Sequence, residues 1–352
     1  MKLKKVSLPL SIVKYLSGEN RRMSILSILG LTPKAAVIED VLTPSASQLL
    51  KHVIAGSYQE AERQLLSASD EERERLLHTF SQRDDAVDLA QQWVRSSSDS
   101  SIAHTVLGAS MIGKAWKIRG SAYGKNVDPA AVEPFFDLIN SAPQSLLKAA
   151  SLDTGTADPF AWLILAEVRR SGDRDLIDQY FAQATARVPM HWPTYYRYFM
   201  VTTEKWGGSH ERMFRFAQES AELAQRGSAI HFLVALAYCE HALTLEANTV
   251  RQLRNASHAD RVSTALYAWL NATPATLEEK LNQPGDGFRA VGLNHFAVAC
   301  YLCGASKEAR ALVAALERKI MPIPWAWIAD GKRESIHLGF VHDRVQRELA
   351  QA

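Results

Sequence analysis

The stretch from Pro189 to Ala221 restricts the fold of this chain more than any other. Its apolar and aromatic residues recur with the i, i+3, i+4, i+7 spacing of a helix that buries one face. The pattern is interrupted once, by Trp206-Gly207-Gly208-Ser209. Glycine tolerates the left-handed conformation that ends a helix, and serine caps the start of the next helix. The stretch therefore predicts an α-helical hairpin with a structural turn at Gly207, Gly208 and Ser209, in which Gly207→Val should be destabilising.

Similar hairpins are predicted on both sides of this one. Residues 49–66 place a helix, a turn at Gly56 and a second helix with a small residue five places after the glycine, which is the tetratricopeptide pattern. Residues 293–322 repeat that spacing around Gly304. No sustained period-two alternation occurs, so no strands are predicted. We therefore expect an all-α chain, a tetratricopeptide-like α-solenoid of stacked helical hairpins.

Three parts are expected along the chain. Residues 1–44 are predicted to form an N-terminal extension or cap, residues 45–322 the helical repeat domain, and residues 323–352 a C-terminal capping helix. Serine-containing loops at 96–101 and 151–157 could divide the middle part. Repeats on both sides of these loops favour one continuous array instead.

Composition argues against several classes of function. A net charge of +2 gives no general case for nucleic-acid binding. Three cysteines argue against a disulfide scaffold. The basic, apolar start imitates a secretion signal, but Lys14 interrupts the apolar run, and no run of about 18 apolar residues follows. We therefore expect a cytoplasmic protein with no membrane span and no nucleic-acid partner, and a membrane-surface helix within residues 1–44 is the minority alternative.

Signatures of catalysis are missing from the sequence. There is no phosphate-binding loop, dinucleotide fingerprint, zinc-protease motif or calcium-binding loop. Cys300 and Cys303 form a CxxC pair, which could bind a metal or cycle its redox state. No second pair exists, and cysteine often packs as a small hydrophobic residue. We predict core packing for this pair, and no metal, cofactor or catalytic residue.

Aromatic residues are the strongest indication of function, because Trp, Tyr and Arg dominate the energetics of protein interfaces. Candidates for partner binding occur in the central hairpin and its turn, in the AWKIRGSAY stretch, and in PWAW near the C-terminus. They are Trp206, His210, Glu211, Tyr195, Tyr198, Arg119, Tyr123, Trp325 and Trp327. Trp206, Trp325 and Trp327 could instead pack as hydrophobic plugs.

Two stretches, AWKIRGSAY at residues 115–123 and KWGGSHERMFRFA at residues 205–217, resemble signature stretches of a family of bacterial proteins. That family has a tetratricopeptide-like domain of unknown function. The resemblance covers roughly residues 90–320 and implies a bacterial helical-repeat fold. It supplies no catalytic residues, and residues 1–44 have no counterpart in it.

The leading expectation is a non-enzymatic protein–protein interaction module, because a helical array offers an extended surface and needs no reactive side chains. Within that class we expect an immunity protein or adaptor that binds and neutralises one bacterial protein partner, such as a toxin. The alternative is an enzyme or ligand-dependent regulator with a site assembled between helices around the WGGSHE turn. His210, Glu211, Arg119 and Tyr123 would then be candidates, and a deep polar pocket joining the two motifs would favour this alternative.

Overall fold

Helices make up nearly all of the regular structure, which confirms the all-α prediction. The computed structural model describes residues 36–37, 43–120, 127–245, 250–285, 287–330, 334–335 and 337–351. The described chain divides into two compact units. We call residues 42–213 the central unit, and residues 214–352 with 1–41 the C-terminal unit. The division falls within the predicted repeat range 45–322 and at neither serine-containing loop.

Consecutive helices build the central unit. In chain order they are α1 (Pro44–Ile54), α2 (Tyr58–Ser67), α3 (Asp70–Ser81), α4 (Ala86–Ser96), α5 (Ser101–Arg119), α6 (Pro129–Leu152), α7 (Asp158–Arg170), α8 (Arg174–Arg187) and α9 (Trp192–Thr202). A 3-10 turn at Glu204–Trp206 follows α9. Small residues let neighbouring helices approach α5: a Cβ at Gly108 would lie 2.5 Å from the Leu146 side chain, and one at Gly113 would lie 2.5 Å from the Ser81 carbonyl oxygen.

A buried ionic network crosses the core of the central unit. Arg73 Nε donates to Asp158 Oδ2 over 2.7 Å, and His191 Nε2 lies 3.2 Å from Asp158 Oδ1. Burial alone would raise the pKa of Asp158, but the hydrogen bond with His191 and the charge of Arg73 outweigh it and hold that pKa at about 2. Arg197 donates to Glu74 over 2.7 Å nearby. The network joins α3, α7 and α9 with paired charges, which is the condition for tolerating charge in a core.

The C-terminal unit is also helical. It contains most of α10 (His210–Leu223), then α11 (Phe232–Ala242), α12 (Ala256–Trp269), α13 (Leu277–Leu281), α14 (Gly287–Cys303), α15 (Ser306–Ala315), α16 (Pro322–Trp325) and α17 (Gly339–Gln351). Strands β1 (Ala36–Val37) and β2 (Lys319–Ile320) pair in parallel, with Ala36 opposite Lys319. This pairing departs from the prediction of no strands, since two residues are too few to show alternation. Residues 1–35 and 38–42 of the predicted extension lie outside the described residues.

Trp325 is a core residue of the C-terminal unit. It is 0% exposed, and its Nε1 donates to Asn294 Oδ1 over 2.7 Å. The same oxygen accepts from the Met321 amide over 3.1 Å. Because its ring has no accessible surface, the prediction of Trp325 as a partner-binding residue is wrong.

The three cysteines also lie in this core. Cys239, Cys300 and Cys303 are all buried, and burial raises the pKa of each thiol. Core packing of the CxxC pair is confirmed. Within the described ranges no group of three or more His, Cys, Asp or Glu side chains is arranged to hold a metal ion. No helix in those ranges combines the length and the apolar character needed to cross a membrane.

Candidate binding site

The turn after α9 has the backbone geometry that its glycines predict. Gly207 has a φ of 81°, in the left-handed region. Gly208 lies against α9 so closely that a Cβ there would be 1.9 Å from the Thr202 carbonyl oxygen. Ser209 Oγ accepts from the Arg212 amide over 3.2 Å, which caps α10. Gly207, Gly208 and Ser209 therefore each contribute to the geometry of this turn.

Arg174, at the start of α8, holds this turn by two hydrogen bonds from its guanidinium group. Its Nη1 donates to the Val201 carbonyl over 3.0 Å, and its Nη2 donates to the Trp206 carbonyl. Both acceptors are main-chain atoms, so Arg174 holds the backbone of the turn in these two hydrogen bonds. They do not involve the Trp206 indole ring, which contacts other residues.

The Trp206 ring meets residues from two other helices. It contacts the Trp116 ring edge-on, with ring centroids 5.7 Å apart and planes at 84°. The Arg169 guanidinium lies 4.1 Å from the Trp206 centroid and 5.3 Å from the Trp116 centroid. Arg119 lies 5.3 Å from the Trp116 centroid. We call Trp116, Arg119, Arg169 and Trp206 the Trp–Arg cluster; it brings together the two stretches that carry the sequence resemblance.

Each member of the cluster is half-buried and therefore reachable from solvent. Arg119 and Arg169 lie in the last turns of α5 and α7, where the exposed carbonyl groups of a helix favour a positive charge by about 0.3–1 kcal/mol. Aromatic contacts continue onto α6: Phe135 lies 5.6 Å from Trp116 and 5.2 Å from Phe136, and Phe136 is 40% exposed. The cluster is thus one end of a partly exposed aromatic surface.

The charges in the cluster are unbalanced. In the part of the chain that the structure describes, neither Arg119 nor Arg169 forms an ion pair with a carboxylate. Acidic residues close in sequence have other partners, since Glu167 pairs with Arg170 at 2.8 Å and Glu204 with His210 at 3.4 Å. Burial and the charge of Arg119 lower the pKa of Arg169.

Three hydrogen-bond donors of the cluster also lack acceptors. Arg169 Nε, Trp116 Nε1 and Trp206 Nε1 are each shielded from solvent, and none has a partner among the described residues. An unsatisfied buried donor costs about 1–3 kcal/mol, and such groups are uncommon in folded proteins. All three belong to side chains that contact one another.

The tyrosine candidates of α9 do not join this cluster. Tyr195 is buried, with its ring 5.2 Å from that of Phe181. The prediction of Tyr195 as a partner-binding residue is therefore wrong, because its ring is buried against Phe181 of α8. Tyr198 is half-buried and donates to Asp178 over 2.6 Å, and burial together with that bond raises its pKa to about 12.

The remaining candidates are dispersed. His210 and Glu211 lie in the first turn of α10, where His210 pairs with Glu204 and Glu211 is exposed. Trp327, in the C-terminal unit, is half-buried with its ring 6.1 Å from that of His295. Tyr123 lies outside the described residues. Among the predicted binding residues that the structure describes, Trp206 and Arg119 are the two that it brings into one cluster.

Sequence reasoning missed Trp116 and Arg169 as site residues. Trp116 stood in the motif that carries the resemblance, so its position there was an available signal. Arg169 had none, because an arginine in the last turn of a helix is an ordinary stabilising residue. Its role follows from three segments, α5, α7 and the 3-10 turn, meeting in space.

No protein-family profile, no curated protein and no solved structure matches this chain. Only the chemistry of the described residues therefore bears on function, and the family resemblance stays a prediction.

Proposed function

We propose that this chain is a non-enzymatic binding protein that engages one protein partner through the Trp–Arg cluster. The observation that carries this proposal is the partial exposure of two tryptophans and two arginines in mutual contact without a balancing carboxylate. Tryptophan and arginine are among the residues most enriched at the energetic centres of interfaces. Exposed Phe136 beside the cluster extends the apolar area available to a partner.

The finer expectations belong to this proposal. They are a tetratricopeptide-like stacking of the hairpins, a bacterial origin, a cytoplasmic location, and a role as an immunity protein or adaptor that neutralises one partner such as a toxin. An extended helical surface with one strong aromatic and cationic contact suits such a role, since binding requires no reactive group.

One observation favours a second candidate, a ligand-dependent regulator with its site beside the WGGSHE turn. The three donors without acceptors are the kind of group that a small ligand would satisfy. An enzyme is less well supported, because the contact between His210 and Glu204 is open to solvent, with the Glu204 side chain 52% exposed.

The decisive experiment compares partner capture by three immobilised proteins: wild type, Trp206→Ala and Arg63→Gln. Trp206→Ala removes the ring but keeps the carbonyl that Arg174 binds. Arg63, 73% exposed and remote in sequence from the cluster, is the matched surface control. A partner retained from an extract of the source organism is then produced pure and titrated calorimetrically against each variant.

We expect a stoichiometric complex with wild type and with Arg63→Gln. Trp206→Ala should weaken it by about 2 kcal/mol or more, which is about thirtyfold. Equal affinity of Trp206→Ala and wild type would remove the cluster from the interface. If immobilised wild type retains no protein from the extract, the proposed binding function is wrong.

A further inference from the structure

We propose that the Trp–Arg cluster holds one oxyanion of the partner, a carboxylate or a phosphoryl group, against the guanidinium groups of Arg119 and Arg169. This inference rests on the proposed function, because it names the chemical group that the same surface recognises. Charge, hydrogen-bond donors and the aromatic walls each support it.

Two arginines close to the Trp116 ring supply the charge. Each guanidinium carbon lies 5.3 Å from the Trp116 centroid, so two positive charges share one ring. Among the described residues no carboxylate neutralises either of them. Helix carbonyl groups offset part of the repulsion. An anion bound at the Trp116 ring would be attracted by both guanidinium groups.

The unsatisfied donors distinguish an oxyanion from other ligands. Arg169 Nε, Trp116 Nε1 and Trp206 Nε1 each lack an acceptor within the described part of the chain. A neutral acceptor would satisfy these donors and leave the charges unbalanced. A monatomic anion would supply negative charge through only one acceptor atom. A carboxylate or phosphoryl group supplies both a negative charge and two or three acceptor oxygens.

The indole rings strengthen such a contact. The Trp206 ring and the Trp116 ring meet at 84°, and Arg169 lies within 5.3 Å of both centroids. These flat apolar walls exclude water from one side of the guanidinium, and hydrogen bonds between charged groups are stronger where water is excluded. The opposing explanation is that stacking of arginine on tryptophan is sufficient in itself; in that case no anion should bind saturably.

The test follows the N–H groups directly by nuclear magnetic resonance of ¹⁵N-labelled protein. Trp116→Phe and Trp206→Phe each remove one indole signal and so assign the two Nε1–H resonances. Arg169→Gln assigns the Arg169 Nε–H resonance. Inorganic phosphate, glutarate and sodium chloride are titrated separately at matched ionic strength. We expect saturable movement of these three resonances with phosphate, with glutarate or with both, and no saturable movement with chloride.

Movement with phosphate alone identifies a phosphoryl group, and movement with glutarate alone identifies a carboxylate. Arg119→Gln and Arg169→Gln should each weaken binding by roughly tenfold or more, because each removes a charge-assisted contact. Arg63→Gln should bind as wild type does. If Arg169→Gln does not fold, the oxyanion assignment is tested by Arg119→Gln together with the comparison against chloride.

Equal movement with chloride, or wild-type binding by both arginine variants, would overturn the oxyanion assignment. These outcomes are separable from those of the capture experiment. If phosphate binds saturably but the partner binds Trp206→Ala as tightly as wild type, only the proposed function is contradicted. Loss of partner capture in Trp206→Ala without saturable binding of phosphate or glutarate contradicts only the oxyanion.

Discussion

A position can require glycine because its backbone is left-handed or because it has no space for a Cβ. Alanine substitutions at Gly56, Gly207 and Gly208 separate these two causes. Gly56 has a φ of 70°, and no atom lies within 4 Å of the position that a Cβ would take there, so Gly56→Ala introduces only the cost of a left-handed backbone, about 1–2 kcal/mol. Gly207, with a φ of 81°, carries the same cost and in addition places a Cβ 3.1 Å from Arg174 Nη2. That atom can move, so Gly207→Ala should lose about 2 kcal/mol, and the branched side chain of Gly207→Val more.

Gly208 shows the second cause. Its φ is not left-handed, but there is no space for a Cβ at this position. Its Cβ would lie 1.9 Å from the Thr202 carbonyl oxygen, which is main chain and cannot rotate away. Relief requires the turn to separate from α9. This would break the bonds from the Gly208 amide to Thr203 (2.9 Å) and from the Ser209 amide to Thr202 (3.0 Å). Two such bonds at about 1 kcal/mol each, with about 1 kcal/mol of backbone strain, give a loss of about 3 kcal/mol.

Urea unfolding followed by far-ultraviolet circular dichroism measures these losses. The chain has two units, so each transition is fitted separately. For a unit of this size about 3 kcal/mol corresponds to a fall in Tm of about 6–12 °C. We expect Gly208→Ala to be less stable than Gly207→Ala, and Gly207→Ala to be no more stable than Gly56→Ala. The reasoning is refuted if Gly208→Ala keeps wild-type stability while Gly56→Ala loses its expected amount.

Three further predictions concern the cores of the two units. The pKa of Asp158 is about 2 in the folded state, below its unfolded value, so its charge stabilises the fold above about pH 4 and that contribution is lost as the pH falls towards 2. Asp158→Asn should therefore destabilise the central unit at neutral pH and flatten the acid limb of a stability–pH profile; an unchanged acid limb contradicts this. Asn294→Ala leaves two buried donors without an acceptor and should cost about 2–4 kcal/mol by thermal or urea denaturation, whereas a loss below about 1 kcal/mol would show that water replaces the amide. Cys239, Cys300 and Cys303 are buried with raised thiol pKa values, so a thiol-reactive dye should label none of them in the native state and all three in denaturant; rapid native labelling would show that α11 and α14 open readily.

The helical class and several helix ends could be predicted because their causes are local. Period-3.6 patterns mark the helices, and Gly120 ends α5 with a φ of 69° as a glycine in that position is expected to do. Ser69 caps α3 by accepting from the Glu72 amide over 3.3 Å, as its capping box predicts. The turn at Gly207 and Gly208 was predictable for the same reason.

The candidate site could be predicted only in part, because its causes are tertiary. Trp206 and Arg119 were identified from composition and motif, but no local pattern connects them with Arg169, which is distant from both in sequence. The tryptophans of PWAW are two residues apart, yet Trp325 is buried while Trp327 is half-buried. Trp325 Nε1 donates to the side-chain oxygen of Asn294, a residue of another helix. Sequence periodicity contains no information on such partners.

The parallel pairing of β1 with β2 has a consequence for the order in which the chain can fold on the ribosome. Lys319 and Ile320 emerge long after Ala36 and Val37, the residues to which they pair. At translation rates of about 5–20 residues per second, the first strand waits for roughly a quarter of a minute to one minute. The central unit is contiguous in sequence and can complete its own core during that interval. Its folding is therefore expected to precede strand pairing, so the newly made chain would carry a finished Trp–Arg cluster before its C-terminal unit exists.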